Sequence, residues 1–319
     1  MLRSILYMSL LGTATALLLT AQPPQAEPTT RLAPETLSDT RWLDKLRADQ
    51  AKAMSGVSAF HDFQFTNRIA ESGITFRHHI VDDAGKSYKA AHYDHGNGVA
   101  IADVDGDGLT DIYFVSQVGG NQLWKNLGGG KFQDITAAAG VSVPGKVGVA
   151  ATFADIDNDG DPDLYVTTVR GGNMLFENDG KGHFKDISAA SGLSYNGHSS
   201  AAVFFDYDRD GRLDLFLVNV GRYTTNTVAE TDGTKYYVAF EDAFSGHLKP
   251  ERSEPSILFH NDGNNHFTDA SRRMGLVDTS WSGDASIVDV NDDGWPDLYV
   301  LNMEGEDQYY ENAGGKRFV

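Results

Sequence analysis

Beyond residue 97, apolar and polar positions change over in short bursts instead of following a helical period. Gly98-Val-Ala-Ile-Ala102 and Asp111-Ile-Tyr-Phe-Val-Ser116 stand on either side of an acidic loop. Short apolar runs rich in β-branched and aromatic residues, punctuated by Asp, Asn and Gly, predict strand, loop, strand. The first such unit predicts strands near 98–103, 111–116, 121–126 and 131–136. Its second pair is joined by Asn126-Leu-Gly-Gly-Gly130, and matching turns begin at Asn178, Asn261 and Asn312. Asn and Gly supply the left-handed backbone that tight hairpins need. Upstream the pattern is helical. Between Leu37 and Met54, Trp42, Leu43 and Leu46 fall on one side, with Ser38 or Asp39 as cap.

The acidic loop recurs. Asp103, Asp105, Asp107 and Asp111 occupy positions 1, 3, 5 and 9 of a nine-residue stretch with Gly108 at position 6. The same frame holds Asp155, Asp157, Asp159 and Asp163, then Asp206, Asp208, Asp210 and Asp214, then Asp289, Asn291, Asp293 and Asp297. Oxygen ligands at alternating positions suit a hard cation with six to eight oxygens, so the pattern points to Ca2+ at about four sites. The position-7 residues Leu109, Asp161, Arg212 and Trp295 vary freely, which marks their backbone carbonyls as further ligands. These are not EF-hands. The twelfth position, where an EF-hand places a bidentate Glu, is Phe114, Val166, Leu217 and Val300.

The first aspartates of successive loops are 52, 51 and 83 residues apart, so the third interval carries an insertion, assigned to 221–255. A period near 50 built of short strands predicts an all-β propeller of four-stranded blades. About four units are expected, near 88–140, 141–193, 194–275 and 276–319, within a domain spanning 61–319.

Net charge is −19, which argues against a nucleic-acid partner. Fifteen aspartates at the loop positions account for much of it. Residues 1–26 read as an export signal, with Arg3, an apolar run from Ile5 to Leu19, and Ala21 or Ala26 before cleavage. Residues 27–60 read as a linker and short helix. The expected location is periplasmic or extracellular, with no transmembrane segment after cleavage. The chain has no cysteine, so disulfides cannot stiffen it, and calcium can.

The stretch from Gly98 to Asp111, followed by Leu123-Trp-Lys-Asn-Leu-Gly-Gly-Gly-Lys-Phe-Gln-Asp-Ile-Thr-Ala-Ala-Ala-Gly-Val141, resembles the FG-GAP/VCBS repeat. That resemblance implies the calcium-binding β-propeller also found in integrin α-subunit heads. Phe65–His78 resembles the opening of bacterial proteins similar to cartilage acidic protein. Such proteins commonly have more blades, seven in the integrin-like form. The last unit here stops at Val319, partway into a fourth strand. A truncated or split chain is one expectation. The other is a closed four-bladed ring, whose last sheet would need an outer strand such as Ile74–Val81.

Other chemistry centres on histidine. His78, His79, His92 and His95 precede the first loop, and His198 precedes the third; they either bind a second metal or bond to loop backbones. The insertion holds Tyr223, Tyr236, Tyr237, Phe240, Phe244 and His247, suited to a protein or carbohydrate ligand or to packing on the propeller. The functional expectation is a non-catalytic binding or adhesion scaffold. The alternative is a propeller enzyme, a polysaccharide lyase or metal-dependent oxidoreductase, using the central funnel and the histidines. A degenerate fragment without independent function is a third reading.

Overall fold

The computed structural model describes residues 41–53, 65–82, 97–277, 280–304 and 306–319. The chain divides into two units, Met1–Phe65 and Thr66–Val319. In the first, helix α1 (Arg41–Ala53) forms where Leu, Ala, Lys, Arg and Gln dominate. Asp44 lies in its first turn and Lys52 in its last, each favourable to the helix dipole. The export segment falls outside the described residues.

The second unit is all-β, built of antiparallel propeller-like blades. Blade 1 comprises β1 (Val99–Ala102), β2 (Asp111–Phe114), β3 (Gln122–Asn126) and β4 (Phe132–Asp134), paired in that order. Blade 2 repeats it with β5 (Gly148–Ala154), β6 (Asp163–Thr168), β7 (Met174–Asn178) and β8 (Phe184–Asp186). Blade 3 opens with β9 (Ser199–Phe205) and β10 (Asp214–Asn219). A separate hairpin, β11 (Thr224–Thr231) and β12 (Thr234–Ala239), then intervenes before β13 (Ile257–Gly263) and β14 (His266–Asp269) complete the sheet. Blade 4 has β15 (Trp281–Val288), β16 (Asp297–Glu304) and β17 (Gln308–Tyr310).

The second strand of each blade is where burial concentrates. All six residues of β6 and of β10 are buried, as a strand covered on both faces requires. Three apolar clusters fill the spaces between successive blades. Tyr113 and Val141 meet Leu164 and Phe176; Tyr165 and Leu193 meet Leu215 and Phe259; Phe216 and Leu276 meet Leu298 and Phe318. Tyr113 meets Phe153 edge-on at 6.3 Å, and Tyr165 meets Phe204 at 6.2 Å. Their buried hydroxyls donate to Val141 O and Leu193 O, at 2.7 and 3.0 Å.

One repeated element was not foreseen. After the fourth strand of blades 1 to 3 the chain makes a single helical turn, α3 (Thr136–Ala139), α4 (Ser188–Ser191) and α5 (Ser271–Met274), and a like turn, α2 (Ile69–Ser72), precedes blade 1. Helices α3, α4 and α5 begin alike. The Asp two residues earlier accepts the backbone N–H of Thr136, Ser188 or Ser271 at 2.8–2.9 Å. The hydroxyl then accepts the N–H of Leu123, Leu175 or Leu258 on the third strand at 2.9–3.0 Å. Each turn ends at a glycine of positive φ (Gly140, Gly192, Gly275).

Segment 74–81 does not complete the last sheet. Phe76 stacks on Phe114 of blade 1 at 4.7 Å, and Val118 N–H donates to His79 O at 3.2 Å. Blade 4 takes its outer pairing from the residues that follow β17. Glu311 and Val319 exchange backbone bonds at 3.0 and 2.9 Å, and Ala313 donates to Arg317 O at 2.8 Å.

Candidate metal centres and the insertion

The four acidic loops join the first and second strands of their blades and share one internal geometry. The position-1 carboxylates of Asp103, Asp155, Asp206 and Asp289 accept the backbone N–H groups of positions 5 and 6 at 2.7–3.1 Å. The position-5 carboxylates of Asp107, Asp159, Asp210 and Asp293 accept the N–H groups of Leu109, Asp161, Arg212 and Trp295 at 2.9–3.0 Å. Two residues per loop are left-handed. Position 6 is always Gly, but position 4 is Gly106, Asn158, Arg209 and Asp292, with φ from 57 to 70°.

Position 9 has a second task. Asp111, Asp163, Asp214 and Asp297 are buried, and each pins its loop with both oxygens. One oxygen accepts from position 2 at 3.0–3.1 Å and the other from the Asn at the hairpin turn at 2.7–2.8 Å. Burial pushes the Asp163 carboxyl up to about 7, with backbone bonds opposing and the charges of Asp157 and Asp159 adding. Burial, together with Asp208, also raises Asp214. At Asp297 burial pulls upward too, but bonds from Asn312, Tyr309 and Val290 prevail and hold the carboxyl low.

The donor sets fit a hard cation. Asp103, Asp105 and Asp107 offer oxygens within 4.8 Å of one another, as do Asp155, Asp157 and Asp163, and Asp206, Asp208 and Asp210. Asp105 Oδ1 and Asp208 Oδ1 are buried without a hydrogen-bond partner among the described residues. A bound cation would satisfy both. The fourth loop forms no such three-acid group among the described residues, because Asn291 replaces an acid.

The loops differ in a residue that sequence reading passed over, the one before the hairpin Asn. In blade 1 it is Lys125, whose ammonium contacts Asp105 and lies 2.9 Å from Asp107. In blade 2 it is Glu177 and in blade 4 Glu311. In blade 3 it is His260, with Nδ1 at 3.1 Å from Asp214 and 3.6 Å from Asp208, so a nitrogen joins that acid group. The fixed place of this residue before a recurring Asn was the available signal.

The other histidines are not brought into a shared metal group among the described residues. His198 is buried, its ring nitrogens 2.8 Å from Glu254 Oε1 and from Thr224 Oγ1. Burial alone would raise Glu254, but the bonds and charge of His198 outweigh it and hold the carboxyl low. His78 lies 3.3 Å from Val115 O, and burial lowers its basicity. His92 and His95 lie outside the described residues.

The insertion sits at the opposite end of the strands from the acidic loops, since it joins the second and third strands of blade 3. Tyr223, Tyr236, Tyr237 and Phe240 pack inward, and the side chains of Phe244 and His247 lie outside the described ones. Tyr223 and Tyr236 are buried with Val118, Val147, Val169, Val220 and Trp281, residues from all four blades. Arg170 lies over the Tyr237 ring at 3.7 Å and Arg252 over Phe240 at 3.7 Å. Arg170 also donates to Thr225 O at 2.6 Å. The hairpin is thus a strap across the blades at that end. Beside it, a groove of about 580 Å³ is lined by Asn121, Gln122, Gln133, Thr136 and Ser142.

Comparison with known proteins agrees with this geometry. A family model described as FG-GAP-like repeat matches residues 103–166 and 155–217, overlapping units that each run from one loop into the next. Cartilage acidic protein 1 of Homo sapiens is 30% identical over 151 residues, 46% of this chain and 22% of that protein. Its Xenopus tropicalis counterpart is 27% identical over 176 residues, 54% of this chain and 26% of that one. The chain thus matches about a quarter of the length of these relatives. Among solved structures, an Agrocybe aegerita lectin described for specific recognition of non-reducing terminal N-acetylglucosamine aligns with TM-score 0.38 and 18% identity, covering 69% of this chain and 49% of that one. The V. cholerae biofilm matrix protein Bap1 aligns with TM-score 0.36 and 14% identity, covering 70% and 30%. Loop, four strands and closing turn recur as the family repeat does, and residues 103–217 of this chain are FG-GAP-like repeats.

Proposed function

We propose that the Thr66–Val319 unit is a non-catalytic, calcium-binding scaffold of an exported protein, presenting a surface to a protein or carbohydrate ligand. The observation that carries this reading is the set of preorganised acidic loops. In each, position-1 and position-5 carboxylates are already held by backbone N–H groups, so a cation meets a formed site. The ligands would be the side chains at positions 1, 3, 5 and 9 and the carbonyls of Leu109, Asp161, Arg212 and Trp295. Bound calcium would neutralise crowded carboxylates and tie the first two strands of a blade together.

Export rests on the leader-like residues 1–26 and on the lack of cysteine. Among the described residues no helix is long and apolar enough to cross a membrane. The groove beside β3 offers amide and hydroxyl groups suited to sugar hydroxyls. The test is a calcium titration of chelator-treated protein followed by heat unfolding. A rise in melting temperature well beyond that given by sodium chloride of equal ionic strength supports the reading. An equal rise overturns it.

A further inference from the structure

The hairpin turns that begin at Asn178, Asn261 and Asn312 each lie over position 3 of the preceding blade's acidic loop. A Cβ on Gly182 of blade 2 would come within 3.7 Å of Asp105, and one on Gly315 of blade 4 within 2.9 Å of Asp208. In blade 3 the turn presents a side chain there. Asn265 holds a left-handed backbone with φ 58°, a conformation that Asn tolerates and glycine adopts freely. Its Nδ2 donates to Glu177 Oε1 at 2.8 Å and to Asp157 Oδ2, position 3 of the second loop, at 3.3 Å. A second bond runs the other way, from Asn158 Nδ2 to Gly211 O of the third loop at 2.9 Å.

Two carboxylates of blade 2 thus converge on one amide nitrogen of blade 3. In the first and third loops, position 3 is met by a basic group of its own blade. Lys125 contacts Asp105, and His260 lies 3.6 Å from Asp208. The second loop is met by a neutral amide instead, and Asn265 Oδ1 is buried with no hydrogen-bond partner among the described residues. The two ends of a carboxamide are alike in shape and opposite in polarity, so turning it over exchanges donor for acceptor without moving the chain. A free carboxylate favours the nitrogen on its side; a carboxylate that carries a divalent cation favours the oxygen. Turning to a cation also gives the orphaned oxygen a partner.

We propose that Asn265 is a cation ligand supplied across blades. Its amide oxygen joins Asp155, Asp157, Asp159, Asp163 and the Asp161 carbonyl, which brings the second loop to the six to eight oxygens that calcium takes. Calcium at that loop then fastens blade 2 to blade 3. At the first and third loops Gly182 and Gly315 bring no side chain, so the ion there ties only strands of one blade. The inference rests on the calcium reading of the loops.

Calorimetric calcium titration of the chelator-treated full chain tests it, with Asp157→Asn marking the binding step that belongs to the second loop. Asn265→Gly suits the left-handed backbone, so the turn keeps its form. It should weaken that same step about tenfold or more, leave the other steps unchanged, and shrink the rise in melting temperature that calcium gives. Asn265→Asp restores an oxygen and should return the step to wild-type affinity or tighter, while its charge beside Asp157 and Glu177 lowers the melting temperature in chelator. If Asn265 serves only as an N–H donor, Asn265→Gly lowers the melting temperature equally with and without calcium, and every step keeps its affinity. That outcome overturns the inference and leaves the calcium reading standing. So does weakening of a step other than the one marked by Asp157→Asn, or an Asn265→Asp variant that binds no better than Asn265→Gly. Wild-type protein that takes up no calcium overturns both.

Discussion

Asn261 ties two loops together: its side-chain nitrogen donates to Ile156 O of the preceding blade at 2.8 Å and to Leu213 O of its own at 3.0 Å. Its oxygen meanwhile accepts Gly263 N–H at 2.9 Å, shaping the hairpin turn. Asn261→Ala would leave buried carbonyls unpaired, at about 1–3 kcal/mol each. The expected loss of stability is about 3 kcal/mol, against about 1 kcal/mol for Asn126→Ala, which has no cross-blade bond among the described residues. Urea unfolding of the two variants measures the difference. Equal losses would show that the cross-blade bond contributes nothing.

Lys125 already offsets one of the charges of the first loop. Its ammonium is held charged by hydrogen bonds to Asp105 and Asp107, and the latter carboxyl is in turn held low. Lys125→Ala should therefore destabilise the calcium-free protein slightly and strengthen calcium binding at this loop. Calorimetric titration should resolve a tighter site in the variant. Unchanged affinity would mean that the lysine moves aside at no cost.

Two of the buried aspartates, Asp163 and Asp214, set an unusual pH dependence for calcium-free protein. Asp163 titrates at about 7 in the fold against an ordinary 3.8, and Asp214 is shifted the same way. Between those values these two groups bind more protons in the folded chain than in the unfolded one. Stability from these groups is present at low pH and falls as pH rises towards 7. Melting temperatures of chelated protein should decline over that window, and saturating calcium should flatten the decline. A rise with pH in the chelated state would contradict the burial argument.

Buried His198 and half-buried Glu254 pair at 2.8 Å, under the strap. His198→Ala would take the ring from Glu254 Oε1 and leave the backbone N–H of residue 198 on Oε2, at a cost of about 1–3 kcal/mol. The variant should melt markedly lower while the transition-metal content of purified protein stays as in wild type. Loss of a stoichiometric metal with the histidine would instead restore the metal reading of this residue.

Arg209 occupies the left-handed fourth position of its loop with φ 58°. A β-carbon is disfavoured there, so Arg209→Gly should change stability by less than about 1 kcal/mol, with strain relief set against greater freedom of the unfolded chain. The lost contact of its guanidinium with the Trp295 ring, 5.2 Å away, works against the gain. A loss above that bound would show that the cation–ring contact dominates.

Strands, acidic loops and Asn-Gly turns were legible in the amino-acid order because each is decided within about fifteen residues of chain. Asp103 reaches the N–H groups of Asp107 and Gly108, and Asp111 that of Asn126. The single-turn helices at Thr136, Ser188 and Ser271 are equally local, yet four residues are too few to print a helical period. What the tertiary structure alone decided are meetings between distant segments. It placed Lys125 on the first loop and His260 on the third, turned the rings of Tyr223 and Tyr236 into the strap's anchor, and buried His198 against Glu254. It also made Val104 a covered residue and Val290 an open one, although their loops are alike in sequence. The difference lies in whether another blade packs behind the loop, which no residue inside the loop can specify.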